Sequence, residues 1–292
     1  KYESAFCANQ GDRASRLAAL LDAVRRIYAS TMGPAALRYR AQRQLLAHDE
    51  QMALLIQRVS GSLRGRRYYP DAAGVGLSHN PYVWHEAIDP GAGLLRLVFG
   101  LGTRAVDRAD DDYTRVVALN VPQLRPEATF DQVKRYAQHN ADVLDLDAGG
   151  LRAEAFARLA PDGNPAALAL CAARDFDLER RARQRGQPVP FSHVLTFDGL
   201  LQQTAFAADM RELLQTLESG YEYPVDVEFT VNFGEDGSYL VNVVQCRPLQ
   251  VREGGPVAPK PHDVPDCRVV LATTGPVIGR SRCGPIDRVV AV

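Results

Sequence analysis

The segment Tyr223–Pro248 constrains the fold of this chain most, because its pattern predicts one β-hairpin with two chemically different faces. Two runs rich in Val, Phe and Tyr flank Asp236-Gly237, a dipeptide typical of tight two-residue hairpin turns. Side chains alternate between the two faces of a strand. The apolar face then holds Val225, Val227, Phe229, Val244 and Cys246, and the polar face holds Asp226, Glu228, Gln245 and Arg247.

The polar face has the chemistry of a metal-nucleotide site. A turn at the Asp-Gly dipeptide sets Asp226 opposite Arg247, and Glu228 opposite Gln245. Mg²⁺ prefers hard oxygen ligands and takes few protein carboxylates beside phosphate oxygens, which suits Glu228 and Gln245. The guanidinium of Arg247 is suited to bind a phosphate bidentately.

The same pattern has a simpler interpretation. An amphipathic hairpin can leave its polar face in water without any ligand. A register shift of one residue would also separate the four polar side chains, because it turns every side chain of one strand to the other face. From spacing alone, the sequence leaves both interpretations open.

Two motifs of the hairpin resemble a known family. Asp226-Val-Glu-Phe, followed by Val244-Gln-Cys-Arg-Pro, resembles the D-I-E-W … V-Q-A-R-P signature of phosphoenolpyruvate synthases, and it is similar to the equivalent segment of pyruvate, phosphate dikinases. Further segments resemble the family in the same order along nearly the whole chain: Ala29–Arg40, Ile56–Val59, Ala72–Ser78, Phe99–Gly102, Asp111–Val116 and Val269–Gly279. The resemblance implies an α+β, ATP-grasp-like fold with a mixed or antiparallel sheet, flanking helices and the start of a swivelling domain.

The resemblance also implies roles for the hairpin residues. Glu228 and Gln245 would hold Mg²⁺ across the β- and γ-phosphates of ATP. Arg247 would be the catalytic group that neutralises charge on the transferred phosphoryl group. Asp226 would orient Arg247 or the metal shell.

Other nucleotide contacts are expected outside the hairpin, and the candidates are Gln57, Arg58, Val59, Gly74, Gly100 and Gly102. For the first three the resemblance implies backbone contacts to the adenine ring, whereas the sequence alone shows the end of a buried strand. Arg58 is either a phosphate ligand or a surface arginine. Gly100 and Gly102 either let backbone amides approach a phosphate or form a simple turn. Gly74 lets either a ligand or a neighbouring strand come close.

The chain departs from the family pattern at three points. Thr103 stands where many relatives have an acid after Gly-Leu-Gly, so this loop lacks the family's acidic contact to the nucleotide. The family's upstream lysine and R-S-S segment would precede Lys1, and without them we expect the chain alone to be inactive. None of the 6 histidines has the T-C-H setting of the family's phosphohistidine, so we expect a downstream domain to carry the phosphoryl group.

Composition and charge agree with a cytoplasmic enzyme. The net charge of −1 gives no reason to expect binding to nucleic acid or to a membrane surface, and no apolar run is long enough to span a bilayer. The 5 cysteines are odd in number and lack Cys-x-x-Cys spacing, which fits a reducing compartment better than a disulfide framework or a zinc site. Whether the chain forms a homodimer stays open.

The chain is predicted to divide at a linker rich in Pro and Gly. Residues 1–251 form the nucleotide-binding domain without its N-terminal part, residues 252–263 the linker, and residues 264–292 the beginning of a swivelling domain. Periodicity predicts helices from the N-cap Asp12 to Ser30, after Pro34, over 130–143 and over 198–217, and strands over 52–59, 73–78, 94–99 and 113–119. The charge run over 175–187 is expected to be a solvated helical face. For the surrounding residues 144–190 the sequence suggests no function.

The resemblance and the departures from it leave three candidate functions. The leading one is the ATP- and Mg²⁺-binding part of a phosphoenolpyruvate synthase-like phosphotransferase, which passes a phosphoryl group from ATP to a downstream histidine and on to pyruvate. Pyruvate and phosphoenolpyruvate would then contact domains outside this chain. The alternatives are a non-catalytic, nucleotide-responsive regulatory module, and the ATP domain of a related dikinase that acts on a glucan or an antibiotic.

Overall fold

The computed structural model describes residues 4–49, 51–106 and 112–249. It is an α+β structure in which helices flank antiparallel sheets, as the sequence predicts. The strands are β1 (Ser62–Arg64), β2 (Arg67–Tyr69), β3 (Ala72–Leu77), β4 (Leu94–Val98), β5 (Arg115–Ala118), β6 (Asn140–Asp145), β7 (Gly150–Ala155), β8 (Ala172–Arg174), β9 (His193–Leu195), β10 (Val225–Phe233) and β11 (Tyr239–Pro248). The helices are α1 (Arg13–Ser30), α2 (Pro34–Gln42), α3 (Thr103–Val106), α4 (Phe130–Arg135), α5 (Phe156–Leu159), α6 (Pro165–Cys171), α7 (Phe176–Gln184), α8 (Asp198–Gln203) and α9 (Phe206–Tyr221).

Five strands form the central sheet, in the order β11, β10, β3, β4, β5, with every neighbouring pair antiparallel. A second sheet has the order β1, β2, β6, β7, and β8 pairs with β9. Asp12 caps α1 as predicted, since its carboxylate accepts from the Ser15 N–H at 2.8 Å.

None of the helices in the described ranges combines the length and apolar character needed to cross a bilayer. The predicted linker at 252–263 and the predicted swivelling domain at 264–292 lie outside the described residues.

One face of the central sheet carries the main core. The inward side chains of β10 are almost fully buried there: Val225, Val227, Phe229 and Val231. Helix α9 packs on this face, where the ring of Phe206 lies 6.4 Å from that of Phe229. Burying one side chain of this size is worth roughly 1.5–3 kcal/mol, so the core determines which face of β10 turns inward.

The opposite face carries a smaller apolar cluster, which consists of Ala73, Val75, Leu77, Leu94, Val98 and Ala105. Strand β3 is therefore buried on both faces. At Gly74 a Cβ atom would lie 2.4 Å from the carbonyl oxygen of Arg96 and 2.8 Å from the ring of Phe229. Of the two alternatives for Gly74, the structure shows close approach of neighbouring strands on the main-core side.

The tip of the hairpin differs from the prediction. The Gly234 N–H donates to the Ser238 carbonyl at 2.8 Å, which leaves a three-residue loop in place of a two-residue turn. Gly237 takes the left-handed position of such loops, with φ of 80°. The pairing near the tip is therefore shifted by one residue, and a β-bulge at Val244 shifts it back before Gln245. Val244, which the sequence predicts on the apolar face, is the extra residue of this bulge and has no partner across the ladder.

Three predicted elements are also wrong. Residues 52–59 form no strand; they pair with no described strand, and Leu55 is 77% exposed. The helix predicted over 130–143 ends at Arg135, and its second half is β6. The helix predicted over 198–217 is interrupted at Thr204, whose hydroxyl donates to the Leu200 carbonyl and accepts from the Phe206 N–H.

The change from helix to strand after Arg135 has a tertiary cause. The Asp112 carboxylate accepts from the backbone N–H groups of His139 and Asn140 at 2.7 and 2.8 Å. The side-chain amide of Gln138 bonds to both the N–H and the carbonyl of Phe99. These bonds hold the backbone extended, so tertiary context overrides the helical period of the sequence.

The charge run over 175–187 is helical, but it is only partly solvated. Asp175 and Glu179 are buried, against the prediction of a solvated face. Glu179 accepts from the Ser192 hydroxyl at 2.6 Å and from two nitrogens of Arg174 at 2.8 and 3.0 Å. These contacts, led by the Ser192 hydroxyl, lower the pKa of Glu179 below its ordinary value of 4.5.

Glu179→Gln is expected to flatten the acid limb of the stability curve. Because the folded pKa is depressed, the contribution of Glu179 is complete above pH 4.5 and is lost as the pH falls through the folded value. Urea unfolding over about pH 2 to pH 7 measures how the free energy of unfolding depends on pH in wild type and variant. Glu212→Gln, at an exposed position of α9, is the control and should keep the wild-type slope. An unchanged slope in Glu179→Gln would contradict the assignment.

Asp71→Ala is expected to destabilise the fold by about 3–5 kcal/mol, because it removes a buried carboxylate and leaves the partly buried Arg64 without its partner. Asp71 is 1% exposed and accepts from Arg64, from the Asn164 amide and from the Phe233 N–H, so it ties β10 to the second sheet and to α6. Thermal unfolding gives the measurement. Asp147→Ala removes an exposed pair with Arg66 and should cost less than about 1 kcal/mol. Equal losses in both variants would argue against this role of Asp71.

Candidate functional site

The polar face of the β10–β11 hairpin gathers the four side chains that the sequence places there. Asp226 faces Arg247 and Glu228 faces Gln245 in the observed register, as predicted. Asp226 and Glu228 lie on the side of the sheet opposite the main core, because they alternate along β10 with Val225, Val227 and Phe229, which face inward. Arg247 and Gln245 lie on the same side, because they pair with Asp226 and Glu228.

A charged pair anchors one end of this face. Both Nε and Nη2 of Arg247 donate to the same oxygen of Asp226, at 2.9 and 2.7 Å. The Asp226 side chain is 14% exposed and that of Arg247 51%. The pair fixes one edge of the guanidinium and leaves the N–H groups of Nη1 for a ligand. The other carboxylate oxygen of Asp226 is buried and has no hydrogen-bond partner among the described residues.

Glu228 and Gln245 fit a hard cation. Glu228 is partly buried, Gln245 is exposed, and the two face each other across the ladder. Neither side chain has a hydrogen-bond or ion-pair partner among the described residues, so both oxygens are free for a ligand. The described ranges hold no group of three or more His, Cys, Asp or Glu side chains arranged for a metal. A cation here would take one carboxylate and one amide oxygen, which matches Mg²⁺ completed by phosphate and water oxygens.

The segment 57–60 lies on the same polar face. The Gln57 side-chain amide donates to the Val244 carbonyl at 2.9 Å. The Ser60 hydroxyl accepts from the amides of Asn232 and Asn242, at 2.8 and 3.1 Å. The bulge frees the Val244 carbonyl from the ladder, and Gln57 satisfies it one residue from Gln245. The structure thus brings Gln57, and with it the exposed Arg58 and the partly buried Val59, beside the hairpin.

The loop after β4, which contains Gly100 and Gly102, approaches the polar face from the side opposite the segment 57–60. At Gly100, with φ of 83°, a Cβ atom would meet the Asp142 carbonyl at 2.8 Å, so this glycine is required for packing against β6. Gly102 lies against Ala73, which pairs with Thr230 on the polar face of β10. The Thr103 hydroxyl donates to Asp142 at 2.6 Å, so it is already engaged inside the protein.

The structure does not bring every candidate together. Gly74 faces the main core and lies on the wrong side of the sheet for the hairpin residues. Sequence reasoning also missed polar residues of this face, above all Arg96, which lies in the same row of the sheet as Glu228. A single arginine inside the apolar run Leu-Leu-Arg-Leu-Val was the signal that could have drawn attention to it.

The hairpin is also fixed to α9 from the core side. The Tyr239 hydroxyl hydrogen-bonds to Asp209. Burial, followed by this contact, raises the pKa of Tyr239 to about 12. The anchor holds β11 in place without using the polar face.

Comparison with known proteins identifies a family. A family model described as the pyruvate phosphate dikinase AMP/ATP-binding domain matches residues 1–265. No curated protein matches the chain. The matched range contains every candidate residue of the polar face.

Gln57→Ala is expected to lower stability by about 1 kcal/mol, because it leaves the carbonyl of the bulge without its donor. Hydrogen exchange should become faster over 51–61 and beside Val244. Gln202→Ala, at an exposed position of α8, should change neither quantity. Unchanged exchange over 51–61 in Gln57→Ala would show that this hydrogen bond does not hold the segment on the hairpin.

Proposed function

Because the chain belongs to the family of pyruvate phosphate dikinase AMP/ATP-binding domains, we propose that it binds ATP with Mg²⁺ in a phosphoenolpyruvate synthase-like phosphotransferase. Family membership makes it the ATP/AMP-binding part of a kinase-type enzyme. The finer proposal is transfer of a phosphoryl group from ATP to a histidine of a downstream domain, and from there to pyruvate. The observation that carries it is the free Glu228–Gln245 pair beside a guanidinium that Asp226 holds in place.

In this proposal the face of the hairpin binds the phosphates and the segment beside it binds the base. Glu228 and Gln245 would hold Mg²⁺, which when bound neutralises charge on the phosphate oxygens. The backbone of residues 57–59 would contact the adenine ring. Gly102 supports close passage of the phosphates, because a side chain there would fill the space over Ala73.

Arg247 acts on the transferred group. Its Nη1 donors point away from the edge that Asp226 occupies, so they are available to phosphate oxygens as negative charge develops. Asp226 is a positioning residue in this proposal, because its two hydrogen bonds from Arg247 restrict the guanidinium. The site therefore works by positioning and electrostatics, with no covalent intermediate on this domain.

One observation favours a second candidate, a nucleotide-responsive regulatory module that binds ATP without transferring a phosphoryl group. Thr103 stands where many relatives have an acid, and its hydroxyl is bound to Asp142. The loop therefore offers the nucleotide no carboxylate. Single-turnover assays with labelled ATP in the full-length protein separate the two candidates, because a module binds ATP and leaves the histidine unlabelled.

Glu228→Ala is expected to abolish Mg²⁺-dependent binding of ATP while leaving the fold intact. Loss of an oxygen that contacts the metal removes the electrostatic link to the phosphates, and transfer in the full-length protein should fall by about 100-fold or more. Gln245→Ala should weaken the same binding. Isothermal titration with and without Mg²⁺, and circular dichroism for the fold, give the measurements.

Glu235→Ala is the matched control, since Glu235 is an exposed carboxylate in the loop of the same hairpin. It should bind ATP as wild type does. Near-normal transfer in Glu228→Ala would rule out the metal role of this residue. Binding that does not depend on Mg²⁺ in the wild-type protein would rule out the site as a whole.

A further inference from the structure

We propose that Arg96 binds the phosphate chain of the nucleotide, on the far side of Val75 from the Glu228–Gln245 pair. The proposal rests on the function proposed above and adds a phosphate ligand from a different strand. Arg96 is the one charged residue of β4, whose other four residues are buried. Because side chains alternate, Leu95 and Leu97 face the main core and Arg96 faces the side that carries Glu228.

The register places Arg96 in one row with the two proposed metal ligands. Gln245 pairs with Glu228, Glu228 with Val75, and Val75 with Arg96. Neighbouring strands lie roughly 4.8 Å apart, so the backbones at Glu228 and Arg96 are about 10 Å apart. Only the short side chain of Val75 stands between them on this face. The long arginine side chain can reach over it, and a phosphate group fits in the remaining gap.

Arg96 lacks the partner that comparable arginines have. In the described residues seven arginines are buried or partly buried, and six of them bind a carboxylate or a backbone carbonyl: Arg40, Arg64, Arg67, Arg104, Arg115 and Arg125. Arg96 is the seventh and makes no hydrogen bond or ion pair with another described residue. A partly buried cation without a partner costs stability, so its presence is better explained by a ligand than by the fold.

The charge of the ligand matches this need. The polar face carries the carboxylates of Asp226 and Glu228, and Arg247 compensates only one of them. A triphosphate brings more negative charge than one divalent cation removes. Arg96 supplies a cation on the side opposite Arg247, with a planar fork of donors suited to phosphate oxygens. The phosphates that contact Glu228 and Gln245 through the cation lie at the level of Arg96.

Arg96→Gln tests the proposal through the number of phosphates. Titration with ATP and with AMP, both with Mg²⁺, should show ATP binding weakened by about 10- to 100-fold and AMP binding unchanged, because AMP lacks the phosphates at the level of the metal ligands. Arg96→Lys keeps the charge and should recover part of the affinity. Arg211→Gln, at an exposed position of α9, is the control and should bind ATP as wild type does.

A stability measurement separates binding from a structural role. Arg96→Leu should raise the Tm without ligand by about 2–4 °C, because it removes an unpartnered cation, while it also weakens ATP binding. A lower Tm would identify Arg96 as structural and overturn the proposal. Equal losses of ATP and AMP affinity, or no loss at all, would overturn it too.

The two proposals fail in different ways. If wild type binds ATP with Mg²⁺ through Glu228 and Arg96→Gln binds it equally well, only the role of Arg96 is overturned. If wild type binds no ATP with Mg²⁺, both proposals fall. Loss of ATP binding in Arg96→Gln, with AMP binding and the Tm preserved, supports both.

Discussion

The candidate site depends on the register of the β10–β11 hairpin. Its three-residue loop shifts the pairing by one residue, which on its own would turn Gln245 and Arg247 toward the core. The bulge at Val244 adds a second shift and returns both side chains to the face of Glu228. The bulge also frees the carbonyl that binds Gln57. One irregularity therefore aligns the two proposed metal ligands and attaches the neighbouring segment beside them.

Strand β10 can hold this register because its other face is buried. Val225, Val227 and Phe229 are at most 1% exposed, and turning them outward would cost several kcal/mol in all. Gly74 lets β3 and the Phe229 ring meet without a gap, which keeps the strand close to its neighbours. The polar face needs no ligand to stay in place, since the core determines its orientation. A site preorganised in this way suits chemistry that works by positioning.

The sequence predicts the elements that depend on local patterns, but not those that depend on contacts between residues far apart in the chain. The hairpin follows from alternation, β3 and β4 follow from short runs bounded by loop residues, and α1 follows from its cap at Asp12. The opposition of Glu228 and Gln245 was predicted from a two-residue turn, and it is present because the loop and the bulge offset each other. The strand over 140–145 could not be predicted, because Asp112 and the Gln138 amide hold it from outside the segment. Arg96 was missed for the same reason, since only the order of strands sets it beside Glu228.

Glu228 differs in its charge pairing from the buried carboxylates of the described residues. Elsewhere in the described residues, buried carboxylates such as Asp71, Asp145 and Glu179 are paired with arginines. Glu228 is not, although Arg96 lies only two strands away on the same face. The two backbones are about 10 Å apart, and the structure has no ion pair between the two side chains. Because the two groups do not contact each other, the charge of each is incompletely compensated. A metal cation bound to a polyphosphate would compensate both, with the metal on the carboxylate and phosphate oxygens on the guanidinium. The separation is therefore consistent with the proposed nucleotide and metal site, in which the ligand lies between the two groups.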